Sequence, residues 1–118
     1  MKAVYLPPSV LTKGPEAPGE WRFVDLRLHQ ECIPPPIGGT GLLTFACPNG
    51  HGYCGKLLVG NGFKPGGERP SWKWNGSVVA PTLTPSINCL SGPAPDGLEY
   101  AGCGWHSYLT DGEWGRAP

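Results

Sequence analysis

The longest run in this chain without a glycine or a proline covers residues 20–33; elsewhere one of the two recurs at short intervals. Proline fixes φ and removes a backbone donor, and glycine weakens both helices and strands, so no long helix can be built from such a text. Glycine (19) and proline (15) together make 34 of the 118 residues. Fractions of that order otherwise mark low-complexity, disordered chains. This chain, however, carries five Trp, four Tyr and three Phe, an aromatic content that disordered segments lack. The composition therefore predicts a mostly β fold: a small single domain over residues 1–118, made of short antiparallel strands and long Gly/Pro-rich loops around an aromatic core. The length suits one domain with a modest core.

Hydrophobic patterning divides the chain. Prolines 7, 8, 15 and 18 make residues 1–19 an extended N-terminal arm. In residues 20–33, Val24, Leu26 and Leu28 alternate with Asp25 and Arg27, which favours a strand, with a short helix as the competing reading. "LLTFAC" and "KLLVG" read as two apolar strands flanking "PNGHGYCG", whose Asn-Gly step is a hairpin-turn signal. "SWKWNG" alternates as a half-buried strand. "APTLTPSINCL" contains two prolines, so any strand there is expected to be short or at an edge. "WHSYLTDGEW" predicts a final hairpin around Asp111-Gly112. The β core is expected over residues 42–114.

Cysteine and histidine gather in two of these loops. The first offers Cys47, His51 and Cys54; the second offers Cys103 and His106. Zinc takes about four thiolate or imidazole ligands in a tetrahedron, commonly as pairs from separate turns. The best set is Cys47, Cys54, Cys103 and His106, with His51 in reserve. Buried cysteines with no metal are the alternative, since C-x6-C is wider than the usual zinc spacing. A closed set of four would be a structural Zn2+ site between two hairpins, the kind of staple a small loop-rich domain needs. Cys32 and Cys89 have no partner at ligand spacing and read as ordinary buried thiols.

Candidate nucleophiles are Ser86, in "TLTPSINC", and Ser107, beside His106; each would need a base within hydrogen-bond reach. Asp111 is a candidate base, although Asp-Gly is also what a tight turn uses. A turn hydroxyl is the plainer reading of a serine after proline. No G-x-S-x-G elbow occurs. The aromatic set Trp72, Trp74, Trp105, Tyr108 and Trp114 is either core packing or a stacking platform. Nine basic residues balance nine acidic ones with no basic stripe, which argues against nucleic acid as a partner. No apolar run approaches the ~20 residues of a membrane helix, and the first residues lack a signal-peptide middle. A cytoplasmic, non-membrane protein is expected, with its oligomeric state open.

The pieces "CPNGHGYCG", W-x-W-N-G, P-T-x-x-P-S and "CGWHSYLTDG", in this order over roughly residues 42–114, resemble a family of small phage and bacterial proteins often labelled ammonia monooxygenase. That family is similar in turn to the peptidase encoded in bacterial ubiquitin-like conjugation (Bub) operons. The resemblance implies a zinc-containing β fold and a hydrolase. That hydrolase would be a peptidase with Ser86 as nucleophile, acting on a protein or ubiquitin-like substrate, in a chain that is phage-borne and sits in the host cytoplasm. Asp111, or His106 if it is not bound to zinc, would be the base. The chain departs from the family in the first loop, where Asn49 and His51 replace closer-spaced cysteines and Cys54 comes later. Two rivals remain. One is a zinc-water metallopeptidase with three protein ligands and Glu99 or Glu113 as base. The other is a non-enzymatic, zinc-stapled protein-binding module.

Overall fold

The structure is a computed structural model that describes residues 1–8, 15, 17–25, 32–48, 53–67, 70–89, 92–93, 99–100 and 105–116. Its described secondary structure is entirely β. The strands are β1 (Val4–Tyr5), β2 (Glu20–Val24), β3 (Thr40–Ala46), β4 (Tyr53–Asn61) and β5 (Trp72–Trp74), followed by β6 (Leu83–Cys89), β7 (Gly92–Pro93), β8 (Glu99–Tyr100), β9 (Trp105–Thr110) and β10 (Glu113–Arg116). Strands β7 and β8 pair only with each other; the other eight form one sheet in the order β1-β2-β3-β4-β5-β6-β9-β10.

That sheet closes on itself. The amide of Trp114 donates to the carbonyl of Met1 at 2.7 Å, the amide of Ala3 donates to that of Gly112 at 2.8 Å, and Lys2 bridges to Glu113. The first residues, expected as an extended arm, thus run along the sheet and join its two edges. Ala3 and Leu6 are buried there. Closure removes the unpaired edges that invite association. Two neighbouring pairs, β1–β2 and β4–β5, are parallel, where only antiparallel pairs were expected.

Two expectations for single elements meet different outcomes. The hairpin at Asp111-Gly112 is present: β9 and β10 pair antiparallel, and both turn residues have positive φ (49° and 78°), as a two-residue hairpin turn requires. The expectation that proline keeps residues 80–90 short or at an edge is corrected. Strand β6 has seven residues and neighbours on both sides. It tolerates Pro85 because the β6–β9 register slips between Leu83 and Ile87, and because the last β5 partner on β6 is Thr84. The missing N–H falls where no ladder bond is demanded.

Alternation fills the interior. Trp21, Phe23, Leu43, Phe45, Val59, Trp74, Leu83, Ile87 and Leu109 are buried. Rings of Trp21, Phe23 and Trp74 meet edge-on or tilted at centroid distances of 4.9–6.5 Å, and Phe45 stacks on Trp114 at 5.0 Å. Trp74 and Trp114 are therefore core residues, whereas Tyr108 is 42% exposed. The indole N–H of Trp21 is buried without a hydrogen-bond partner among the described residues, which costs about 1–3 kcal/mol.

Candidate active site

The three sequence pieces beyond the cysteine loop fold into one hydrogen-bonded knot. Asn75, just past β5, is its hub. Its Oδ1 accepts from the amides of Ser77 (3.2 Å) and Thr82 (3.1 Å), and its Nδ2 donates to the carbonyl of Ala80 (3.0 Å). The Trp74 indole donates to the carbonyl of Ser77 at 2.9 Å, and the Ser77 hydroxyl accepts from the amide of Ala80 at 2.9 Å. Gly76 has φ +83°, and a Cβ there would lie 2.7 Å from Oδ1 of Asn61, so this position requires glycine. The knot extends to the last hairpin. Thr82 Oγ1 accepts from the amide of Asp111 (2.9 Å), and the carbonyl of Pro81 accepts from that of Gly112 (2.9 Å). These motif residues fix how β5, β6 and the β9–β10 turn sit together.

Ser86 emerges from this frame. It lies in the irregular segment of β6, after the cis Thr84–Pro85 peptide, and is half-buried between exposed Pro85 and buried Ile87. Its carbonyl accepts the indole N–H of Trp72 at 3.2 Å. Bulges of this kind re-aim a side chain and are over-represented beside active sites. Across the ladder, Ile87 is paired with Ser107 and Asn88 with His106. His106 is thus the diagonal neighbour of Ser86, a relation that spans about 7–8 Å between Cα atoms and is within reach of side chains on one face.

Asp111 stands elsewhere. It is exposed, occupies the turn with φ 49°, and its amide is bound to Thr82. It lies three residues beyond Tyr108, the β9 residue facing the irregular segment of β6. At about 3.3 Å per residue that offset is roughly 10 Å. Ser86 and Asp111 are therefore not brought together. Glu113 is engaged with the N-terminal ammonium of Met1 at 3.4 Å.

Of the five metal candidates, Cys47 is fully described: it is buried, 1% exposed, and forms no disulfide. Cys54 and His106 are placed through the backbone of β4 and β9, while His51 and Cys103 lie outside the described residues. Among the described residues no group of three or more His, Cys, Asp or Glu comes together. The backbone does place the candidate strand ends on one rim. Cys47 follows the end of β3, and Ala46 is paired with Tyr53, the neighbour of Cys54, so both cysteines flank one hairpin end. Strand β5 runs parallel to β4, β6 antiparallel to β5, and β9 antiparallel to β6. The start of β9, which carries His106 and follows Cys103, therefore belongs to the same rim as the start of β4. The buried thiol of Cys47 thus lies at the rim that the backbone of Cys54 and of His106 also reaches.

A second cysteine lies apart from this rim. Cys32 packs half-buried against the core, and its amide donates to the carbonyl of Phe23 at 3.1 Å. Burial, and then the nearby carboxylate of Asp25, push its thiol above the ordinary value. Tyr5 is raised as well, by burial first and by Cys32 second. Cys32 borders a shallow cavity of about 220 Å³ with Val24, Asp25, Ile33 and Thr40; Ser86 does not line it. Sequence reading passed over both this cavity and the role of Trp72 in holding the Ser86 carbonyl. The alternation of "SWKWNG" puts Trp72 and Trp74 on one face of a strand and does not set Trp72 apart.

The model of one protein family, the bacterial ubiquitination-like system serine protease (BubE), matches residues 33–117. No curated protein and no solved structure matches the chain. No helix among the described residues is long and apolar enough to cross a membrane.

Proposed function

The chain belongs to the BubE family of bacterial ubiquitination-like system serine proteases, and from that premise we propose that it is a small peptidase in which Ser86 is the nucleophile and His106 its base. The observation that carries the assignment is the register: His106 is paired with Asn88, two residues from Ser86, next to the irregular turn of β6. Ser107 is adjacent to His106 in the same strand, and successive strand residues face opposite sides, which favours Ser86 over Ser107. Asp111 serves the scaffold as a turn residue. A serine hydroxyl is a weak nucleophile at its own pKa, so a base that takes its proton during attack is required.

In this scheme Ser86 Oγ forms a bond to the scissile carbonyl carbon as its proton passes to His106. The carbon–nitrogen bond then breaks as the proton moves on to the leaving amine. Water, deprotonated by the same imidazole, hydrolyses the acyl-serine. With His106 used as base, the zinc ligands are Cys47, His51, Cys54 and Cys103. A closed set of four makes Zn2+ a structural staple of the rim and gives it no part in the reaction. The substrate is a protein, and a ubiquitin-like conjugate or precursor fits the family description.

A small fluorophosphonate tests the nucleophile, because it needs only an activated serine and no knowledge of the substrate. The expected result is one adduct per chain, mapped to Ser86, and none on a folded Ser86→Ala variant. Labelling of Ser107 instead would reassign the nucleophile. A folded, zinc-loaded protein with no adduct would favour the zinc-stapled binding module.

A further inference from the structure

We propose that Tyr108 is a further catalytic residue of the Ser86 site, its phenol hydroxyl donating a hydrogen bond to the substrate oxygen that becomes negative when Ser86 attacks. The inference rests on the protease reading of Ser86 and adds a donor for the oxyanion, which that reading does not itself assign.

The placement comes from the β6–β9 ladder. Leu83 is paired with Leu109 and Ile87 with Ser107. Three residues of β6, Thr84, Pro85 and Ser86, therefore face the single β9 residue between those pairs, Tyr108. Leu83, Ile87 and Leu109 are buried inside the closed sheet. Their chain neighbours Ser86 and Tyr108 accordingly turn to the outer face, because successive strand residues alternate. Burial agrees: Tyr108, Thr84 and Pro85 are exposed and Ser86 is half-buried. Nucleophile and phenol thus share one face, on strands about 4.8 Å apart. On the other side of Tyr108, its partner on β10 is Gly115. A Cβ built at Gly115 would meet no atom within 4 Å, so the Tyr108 ring does not fold across β10. Its β6 side is the segment that carries Ser86.

This arrangement sets two different groups on either side of the nucleophile. The His106 position and Tyr108 are two residues apart on β9, on the same face and separated by about 7 Å. Ser86 precedes Ile87, the partner of Ser107, and so lies level with the interval between them. A base on one side and a hydroxyl donor on the other suit acyl transfer. As Ser86 Oγ bonds to the carbonyl carbon, the π pair of the C=O bond moves onto its oxygen. A donor about 2.7–3.1 Å from that oxygen stabilises the charge. The phenol O–H can supply that bond and keeps its proton throughout. When the carbon–nitrogen bond breaks, the pair returns to the C=O bond. The indole N–H of Trp72 has a different task, since it is given to the carbonyl of Ser86 itself.

Two small reagents that need no substrate sequence test the assignment: an ethyl fluorophosphonate, and its counterpart in which sulfur replaces the phosphoryl oxygen. Attack by Ser86 on phosphorus expels fluoride and builds charge on that oxygen, whereas sulfur is a weak acceptor. Labelling rates of Ser86 are compared in the parent and in Tyr108→Phe, which keeps the ring. Loss of the hydroxyl is expected to slow the oxygen reagent by roughly a hundredfold and the sulfur reagent by less than about threefold, with melting like the parent's. If both reagents are slowed to the same degree, Tyr108 shapes the site without touching the reacting oxygen, and the proposal is overturned. If neither is slowed, the hydroxyl has no part in the attack, and the proposal is likewise overturned. In both cases labelling of Ser86 in the parent leaves the protease reading standing. Failure of the oxygen reagent to label Ser86 in the parent removes the protease reading and this inference with it.

Discussion

The two ends of β6 make an instructive contrast. At the lower end, Leu83 and Thr84 are paired with β5, and the neighbouring Asn75, Thr82 and Asp111 are tied together by side-chain and backbone hydrogen bonds. At the upper end, beyond Pro85, β6 keeps β9 on one side and lacks a described strand on the other. The lower end is a frame whose polar groups satisfy one another. The upper end carries Ser86 and leads to the rim where the cysteines and His106 lie. The difference separates residues that hold a geometry from residues able to act on something else, even though both kinds sit in the same motif pieces.

That contrast can be broken most severely at the rim. Cys47→Ser is expected to abolish zinc binding and lead to unfolding or aggregation, because binding energy at a structural site is folding energy. Metal analysis and a melting curve check this; a variant as stable as the parent would show that no staple exists there. Next in size is Trp74→Ala, which empties the centre of the aromatic cluster and should cost about 3–5 kcal/mol in denaturant unfolding. Asn75→Ala removes three hydrogen bonds of the knot, and should cost about 1–3 kcal/mol while leaving zinc content intact. Trp72→Phe sharpens the comparison further. It should change stability little, yet slow fluorophosphonate labelling of Ser86, since the Ser86 carbonyl loses the indole N–H that Trp72 donates.

The smallest effect concerns Cys32. Its thiol is held protonated by burial and by Asp25. It should therefore react with iodoacetamide more slowly than a free thiol near pH 8, which mass spectrometry of the alkylated peptide would measure. The sign for stability follows. A group whose folded value is raised supports the fold below its ordinary value, 9.0 for this thiol, and that contribution is lost as pH rises through the folded value. Tyr5, raised from 10.0, acts in the same direction.

The sequence made some of this legible for physical reasons. Period-two alternation and turn chemistry are local, so the β class, the strand beginning at Glu20 and the Asp111-Gly112 hairpin could be read directly. Closure of the sheet by Met1 and Ala3 could not, because it joins residues more than a hundred positions apart and the prolines at 7 and 8 suggest a detached arm. Pro85 misled for the opposite reason. The rule against proline in a central strand assumes a continuous ladder, and the register slip in β6 removes that premise. Ser86 was visible only through its motif; the register that sets His106 diagonal to it and Asp111 apart from it is a product of the fold.

Two histidines divide two tasks, His106 as base and His51 as metal ligand, and one paired measurement addresses that division. In parallel preparations of His51→Ala and His106→Ala, zinc content is measured together with fluorophosphonate labelling of Ser86. His106→Ala is expected to keep about one zinc per chain and to melt like the parent but fail to label, whereas His51→Ala loses the metal. If His106→Ala loses zinc while His51→Ala retains both metal and labelling, His106 is a ligand and Ser86 must draw on another base.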